Sequence, residues 1–216
     1  MRILIVAATQ KEIALLQENL DEVKKKHEIL FCITGVGLVP TVFELTKFLA
    51  ADNTFDLILN LGIAGAIDKS LKLGEVLEVK SDTFYNWGAE DHSSFISVFD
   101  LGLVSPNEVP FINGELNATS LLLNHFKKVT SISVQLVHGN AQSIDKLLSN
   151  SAVAQIESME GAAVFYVSLK FNLPVMQLRA ISNYVEPRNR NNWNISLAIN
   201  NLNKAALEFL VNYNSH

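Results

Sequence analysis

The chain alternates short runs of β-branched and other apolar residues with segments whose apolar residues recur at the helical period. Residues 3–8 predict a first strand and residues 10–20 the helix that follows it. The alternation continues to a last strand at 174–181 and a final helix at 193–212. Strands separated by helices form βαβ units, whose sheets are mostly parallel and buried on both faces. The pattern therefore predicts an α/β fold around a twisted sheet.

The remaining elements follow from the same periodicities. Further strands are predicted at 28–34, 57–61, 75–80 and 132–137, and further helices at 41–50, 117–126 and 160–171. Gly74 predicts a turn that pairs 71–73 with 75–80, which would give the sheet some antiparallel character. Gly62 and Gly65 interrupt the apolar run of the third strand and predict that it ends at Leu61.

Composition excludes several classes of protein. With 216 residues, 49% of them hydrophobic, the chain can bury a sizeable core. The net charge of −5 and the absence of a basic stripe argue against nucleic-acid binding. The single cysteine, Cys32, excludes an internal disulfide and favours a reducing compartment. No apolar run is long enough to span a membrane, so we expect a cytoplasmic protein.

Ligands of α/β folds gather beyond the carboxyl ends of the strands. Five such segments hold most of the unusual residues, namely 9–12, 62–65, 138–143, 157–161 and 182–190. In the first, Thr9 and Glu12 have the spacing of a capping box, or Glu12 is a general base aimed at a water. In the second, the glycines either turn the chain or let it pass close to a ligand. The sequence leaves both pairs of alternatives open.

The segment Glu157-Ser158-Met159-Glu160-Gly161 places two carboxylates and a thioether just before a helix. Acidic residues there stabilise the helix dipole without any ligand. A carboxylate that accepts the two hydroxyls of a ribose, with a thioether against the sugar, needs the same residues. His138 is interpreted as a hydrogen-bonded structural histidine.

These motifs, in this order, resemble the purine nucleoside phosphorylase and nucleosidase superfamily. The resemblance is carried by Asn60-Leu61-Gly62-Ile63-Ala64-Gly65-Ala66, by the segment around Met159 and by Arg179-Ala180-Ile181-Ser182-Asn183. The strings ESMEGAAVFY, RAISNYVEPRNR and WGAED are similar to the futalosine hydrolases of menaquinone biosynthesis. The resemblance implies one domain over 1–216, folded as a three-layer α/β/α sandwich with a mixed, mostly parallel sheet.

The resemblance also implies roles for individual residues. Glu12 would activate water, Met159 and Glu160 would hold the ribose, and Asn183 stands where methylthioadenosine nucleosidases have an aspartate. A pocket around the base would include Ile63, Ala64, Gly65, Gln142, Ser143, Ser158 and Ser182. Arg188 or Arg190 would meet the benzoate of futalosine. No cofactor or metal is implied, and relatives are commonly homodimers or higher homo-oligomers.

The expected reaction depends on the hydrogen bonds that the Asn183 amide can make and on its inability to release a proton. An aspartic acid can protonate N7 of adenine, whereas an asparagine amide can only donate and accept hydrogen bonds, which suits a 6-oxopurine. Arginines that would hold phosphate are missing from the glycine segments, so water is the better acceptor. We therefore expect cleavage of futalosine to hypoxanthine and dehypoxanthine futalosine. The alternatives are a methylthioadenosine/S-adenosylhomocysteine or aminodeoxyfutalosine nucleosidase, a purine nucleoside phosphorylase, and a non-catalytic nucleoside-binding module.

Overall fold

A mixed sheet forms the centre of the structure, a computed structural model that describes residues 1–92, 94–119, 126–149 and 154–213. Within these ranges eight strands form one sheet in the order β10, β4, β8, β9, β3, β1, β2, with β7 beside β4, while β5 and β6 form a separate hairpin. The strands are β1 (Arg2–Ala7), β2 (Glu28–Ile33), β3 (Leu57–Ala66), β4 (Val76–Phe84), β5 (Gly88–Asp91), β6 (Ser94–Ser97), β7 (Leu116–Asn117), β8 (Lys127–Ser133), β9 (Ile156–Ser158) and β10 (Val175–Tyr184).

Part of this sheet closes on itself. Strand β10 pairs with β4 on one side and with β3 on the other, so β3, β9, β8, β4 and β10 form a ring of five strands. Strands β1 and β2 extend the sheet outward from β3 through parallel pairs. Parallel ladders also join β3 to β10, β4 to β8 and β8 to β9, whereas β4–β10, β3–β9 and β4–β7 are antiparallel. The predicted mixed, mostly parallel sheet is confirmed.

Helices cover both faces of the sheet. In the described ranges they are α1 (Gln10–Gln17), α2 (Asp21–Lys24), α3 (Leu38–Ala51), α4 (Ala141–Leu148), α5 (Gly161–Lys170) and α6 (Ile195–Asn212). Alternate residues of β1 point to opposite faces, as strand geometry requires. Ile5 packs in a core with Leu16 of α1 and Leu202 of α6, while Leu4 packs in a second core with Leu45 of α3 and Phe165 of α5. The three-layer α/β/α arrangement is therefore confirmed.

Two predictions about strands are wrong. The third strand does not stop at Leu61 but continues to Ala66, because its later half pairs with both β10 and β9. Residues 71–73 are not a strand, because the antiparallel neighbour of the segment after Gly74 is β10. The Gly74 N–H donates to the carbonyl of Ile181 over 2.7 Å.

Other boundaries also differ from their predictions. The strand predicted at 132–137 spans Lys127–Ser133, because polar residues at its start pair with β4 and obscure the apolar pattern. The helix predicted at 117–126 is wrong at its start, where Asn117 ends strand β7, and 120–125 lie outside the described residues. The helix predicted at 10–20 ends at Gln17, and the four-residue helix α2 follows. No helix in the described ranges has the length and apolarity required to cross a bilayer.

Candidate active site

The carboxyl ends of β1, β8, β9 and β10 and the second half of β3 surround one cavity of about 410 Å³. All five predicted segments contribute to its wall. The residues that line it are Ala8, Thr9, Lys11, Glu12, Val36, Ile63, Ala64, Gly65, Val137, His138, Glu157, Ser158, Met159, Glu160, Ser182, Asn183, Tyr184, Glu186, Arg188, Trp193, Ile195 and Ile199.

Most of the residues predicted for the site come together in this cavity. They are Glu12, Ile63, Ala64, Gly65, Ser158, Met159, Glu160, Ser182, Asn183 and Arg188. Three others do not line it. Gln142 and Ser143 lie in the first turn of α4, where the Gln142 N–H and the Ser143 hydroxyl donate to Asn140 over 2.9 Å each. Arg190 lies in the short 3-10 turn before α6, with its guanidinium carbon 6.0 Å from the ring centre of Trp193.

Glu12 is held in the cavity wall by three donors. Oε2 accepts the N–H and the hydroxyl of Thr9 over 3.0 Å each, and Oε1 accepts the N–H of Ile63 over 3.2 Å. The Glu12 backbone is fixed as well, because its carbonyl accepts the side-chain amide of Asn203 on α6 over 2.7 Å. The bonds from Thr9 belong to the capping box at the N-terminus of α1. The same carboxylate lines the cavity. The two interpretations of Glu12 are therefore compatible.

Glu160 faces the same cavity at the N-terminus of α5. Its Oε1 accepts the N–H of Gly37 over 3.0 Å, and its Oε2 lies 3.9 Å from Nη1 of Arg179. Burial raises the pKa of the Glu160 carboxyl, while the charge of Arg179 and the Gly37 hydrogen bond oppose that rise and the charge of Glu12 adds to it. Two carboxylates thus line this end of the cavity, and the buried guanidinium of Arg179 lies 3.9 Å from one of them.

Glycines let these charged groups approach the sheet. A β-carbon at Gly62 would stand 1.9 Å from Nη1 of Arg179 and 3.2 Å from Oε1 of Glu12. One at Gly65 would stand 3.3 Å from Nδ2 of Asn183 and 3.4 Å from Cγ of Glu157. Both glycines lie within a continuous strand, so close approach rather than turning explains them.

Asn183 reaches the cavity because β10 is bulged. The register of β10 against β3 shifts between Ile181 and Asn183, which sets Ser182 out of the ladder. The Ser182 hydroxyl lies 2.7 Å from Oδ1 of Asn183, and Nδ2 of Asn183 donates to the carbonyl of Tyr184 over 3.0 Å. These contacts orient the amide and leave one N–H and one lone pair for a ligand.

A histidine and a carboxylate form a pair beside this amide. Nδ1 of His138 lies 2.6 Å from Oε2 of Glu157, within hydrogen-bond distance, and the His138 backbone N–H donates to Oε1 over 3.1 Å. The imidazole also packs edge-on against Tyr85, with ring centres 5.1 Å apart. Burial raises the pKa of the Glu157 carboxyl, and the bonds from His138 oppose that rise. The predicted hydrogen bonding of His138 is confirmed, and the ring also lines the cavity.

Two exposed cations, Lys11 and Arg188, are among the lining residues. The Arg188 guanidinium lies over the ring of Trp193 at 4.9 Å, and its backbone N–H donates to the carbonyl of Gly139 over 3.0 Å. Ile195 and Ile199 of α6 add apolar surface to the same wall. These residues give the cavity two cations and apolar helix surface.

The sequence did not single out several residues of this wall. Trp193, Ile195 and Ile199 read as the start of a core-facing helix, and Lys11 reads as an exposed helix position. Neither pattern distinguishes a lining position from an ordinary amphipathic surface. The pairing of His138 with Glu157 had no clear signal, because only His138 follows a predicted strand and a sequence separation of 19 residues gives no sign of contact.

A family model described as the phosphorylase superfamily matches residues 2–211. The chain belongs to the phosphorylase superfamily. The resemblance inferred from its motifs is thereby confirmed.

Two curated relatives within this superfamily carry different names. A futalosine hydrolase of Streptomyces coelicolor is 29% identical over 148 residues, which are 67% of this chain and 61% of that protein. The chain therefore spans less than two thirds of that relative. A 5′-methylthioadenosine/S-adenosylhomocysteine nucleosidase of Maridesulfovibrio salexigens is 26% identical over 86% of this chain and 87% of its own length.

Solved structures of the superfamily share the fold. The 5′-methylthioadenosine/S-adenosylhomocysteine nucleosidase of Neisseria meningitidis, in complex with methylthio-immucillin-A, superposes with a TM-score of 0.78 at 17% identity over 98% of this chain and 99% of that one. A futalosine hydrolase of Helicobacter pylori gives 0.74 at 19% identity over 98% and 97%.

Proposed function

We propose that this superfamily member is an N-ribosyl hydrolase that cleaves futalosine to hypoxanthine and dehypoxanthine futalosine, a step of menaquinone biosynthesis. The observation that carries the proposal is the Asn183 amide, which Ser182 and Tyr184 orient in a cavity that Glu12 and Glu160 also line. This set of groups offers a base for water, an acceptor for sugar hydroxyls and an amide for the purine.

Breaking the C1′–N9 bond builds positive charge on the ribose and negative charge on the base, so both ends need stabilisation. Glu12 is the proposed general base for the attacking water, and three donors already fix the orientation of its carboxylate. Glu160 would accept the ribose hydroxyls, and Met159 would pack against the sugar. Both residues line the cavity at the start of α5.

Asn183 supports a 6-oxopurine as the leaving group. Its free N–H can donate to O6, where part of the developing negative charge resides. An amide has no proton to give to an adenine. Removing a donor of this kind typically reduces kcat by about 100- to 1000-fold.

Water is favoured over phosphate by the charges beside Glu12. Glu12 and Glu160 place two carboxylates near the guanidinium of Arg179, which does not itself line the cavity. A phosphate dianion at this position would meet net negative charge. A purine nucleoside phosphorylase is therefore disfavoured.

The main alternative is a 5′-methylthioadenosine/S-adenosylhomocysteine nucleosidase, because relatives of that name align over more of the chain than the futalosine hydrolase does. A panel of futalosine, aminodeoxyfutalosine, methylthioadenosine and inosine, with and without phosphate, tests the choice through release of free purine. We expect release from futalosine without phosphate and its loss in Glu12→Gln. Equal cleavage of methylthioadenosine would overturn the substrate assignment. Strict phosphate dependence would overturn hydrolysis. Binding without turnover would indicate a nucleoside-binding module.

The benzoate of futalosine needs a cation within reach of the cavity. Arg188 is the proposed partner, because its guanidinium stacks on Trp193 and the residue lines the cavity. Arg190, the other arginine named from sequence, does not line it, and Lys11 is the second cation that does.

We further propose that the protein is a homodimer that associates through the exposed face of α3. That face carries Val39 and Phe43, which are 70% and 62% exposed, and it begins directly after Val36, which lines the cavity. A second copy seated there would cover this apolar face and one edge of the cavity.

Sedimentation should show a dimer for the wild type and for Leu148→Glu and a monomer for Phe43→Glu. A monomeric wild type would refute the dimer.

The cytoplasm is the proposed location. The thiol of Cys32 is buried, and burial raises its pKa to about 11. A chain with one cysteine forms no internal disulfide, which suits a reducing compartment.

A further inference from the structure

The cavity contains one paired histidine that the mechanism above does not use. We propose that His138, oriented by Glu157, is a further catalytic residue that donates a proton through Nε2 to N7 of the departing purine. The inference rests on the proposed nucleosidase function and adds to it the source of the proton that a neutral base requires.

The tautomer follows from the hydrogen bonds. Nδ1 lies 2.6 Å from Oε2 of Glu157, and an ionised carboxylate can only accept, so Nδ1 carries a hydrogen when Glu157 is ionised. In the part of the chain that the structure describes, no group hydrogen-bonds Nε2, and the ring lines the cavity. Glu157 is 4% exposed, and a carboxylate so deeply buried stabilises a positive charge on its partner ring. An imidazolium here would have Glu157 as its counter-ion, and its Nε2–H would have no partner among the described residues.

The position of the pair points to the base and not to the sugar. Nδ2 of Asn183 and Cγ of Glu157 both lie within 3.4 Å of the place where a side chain of Gly65 would begin. Glu12 and Glu160, by contrast, cluster around Arg179 and Gly62. A purine that meets the Asn183 amide at O6 would therefore lie next to the His138–Glu157 pair, and N7 is the ring nitrogen beside O6.

Two other titratable groups of the wall are already engaged. The Tyr184 hydroxyl donates to the carbonyl of Leu71 over 2.9 Å. Oε1 of Glu186 accepts from the Asn192 amide over 2.7 Å. Asn183 can donate a hydrogen bond but cannot release a proton. His138 is the imidazole of the wall, and imidazole is the side chain that most often acts as a general acid.

The step balances as follows. The C1′–N9 bond breaks and its electron pair passes to the purine, while the Nε2–H proton moves to N7 and leaves a neutral base. The attacking water forms the new C1′–O bond and gives its proton to Glu12. Solvent then protonates His138 and takes the proton from Glu12, so the net reaction consumes one water.

The test compares two leaving groups in His138→Gln and Glu157→Gln. A 6-oxopurine nucleoside that the wild type cleaves needs a proton at N7, whereas 7-methylinosine releases a neutral base without one. For the first substrate, we expect His138→Gln to lower kcat by about 100- to 10,000-fold, with KM changed less than threefold. In His138→Gln, the fall in rate that the wild type shows at high pH should be absent. For 7-methylinosine, kcat should change less than threefold.

Glu157→Gln should move the alkaline fall of the wild-type profile to lower pH, because the imidazolium loses its carboxylate. If the pair is only structural, Glu157→Gln should change the thermal stability without moving the alkaline fall of the pH–rate profile. Glu208→Gln, an exposed carboxyl in α6, is the matched control and should change neither rate nor profile. Thermal unfolding of each variant checks that it folds; if His138→Gln does not, the profile of Glu157→Gln decides.

Equal losses on both nucleosides, or an unchanged alkaline limb in Glu157→Gln, would overturn the role of His138 and leave the proposed function intact. A wild type that releases no purine from any nucleoside would overturn the proposed function and this inference with it.

Discussion

The guanidinium of Arg179 lies directly against the backbone of Gly62, so that any side chain at residue 62 would overlap it. Arg179 cannot easily move aside, because it is 1% exposed and its Nε donates to Oε1 of Gln177 over 2.7 Å. Gly62→Ala should therefore lower the free energy of unfolding by about 1–3 kcal/mol, the usual range for overpacking. Chemical denaturation measures this loss.

A double-mutant cycle tests the cause of that loss. In an Arg179→Met background the same Gly62→Ala change should cost less, because the overlapping Nη1 is gone. An equal cost in both backgrounds would show that the contact with Arg179 is not responsible.

Asn183→Asp should shift the substrate preference from 6-oxopurine to 6-aminopurine nucleosides, because a carboxylate can accept from the 6-amino group of adenine but cannot donate to O6 of hypoxanthine. The ratio of kcat/KM for aminodeoxyfutalosine to that for futalosine should rise by at least about tenfold, which corresponds to one charge-assisted hydrogen bond. An unchanged ratio would show that Asn183 does not select the base and serves only to end the strand.

Asp82 should make stability depend on pH. It is fully buried below α5, where burial raises its pKa to about 6 against the opposing charge of Arg179 and hydrogen bonds from Gln177 and Ser133. The folded protein then keeps a proton that the unfolded chain has already released. This contribution is complete below the unfolded pKa and is lost as pH rises through about 6.

The wild type should therefore lose about 2–3 kcal/mol relative to Asp82→Asn between pH 4 and pH 7. Denaturant unfolding at both pH values measures the difference. Asp145→Asn, which removes an exposed carboxyl of α4, should show no comparable change. A pH-independent difference for Asp82→Asn would mean that Asp82 is ionised throughout.

Arg188→Ala should raise the KM for futalosine by about 10- to 100-fold, the value of one hydrogen bond to a charged group, and leave the KM for inosine unchanged. Lys11→Ala is the matched variant, because it removes the other cation that lines the cavity. If Lys11→Ala alone shows the selective effect, the benzoate binds at Lys11.

Most of the longer strands and helices could be predicted because each has its own hydrophobic period, and four of the five site segments could be predicted because they follow predicted strands. The continuation of β3 to Ala66 could not, since glycines that allow close packing resemble glycines that turn the chain. The contact of His138 with Glu157 depends on β8 and β9 lying side by side, which is a property of the tertiary structure. The start of β8 could not be predicted because its residues are polar, and its pairing with β4 is also a property of the tertiary structure.

The ring of five strands also determines how the protein moves. Opening any strand of the ring breaks hydrogen bonds on both sides of it, whereas β2 is bonded to β1 alone in the described part of the sheet. Amide hydrogens of β3 and β10 should therefore exchange with solvent only through global unfolding, and those of β2 through cheaper local openings. The wall that presents Asn183 would remain rigid through each turnover, so that substrate entry depends on the loops above the ring.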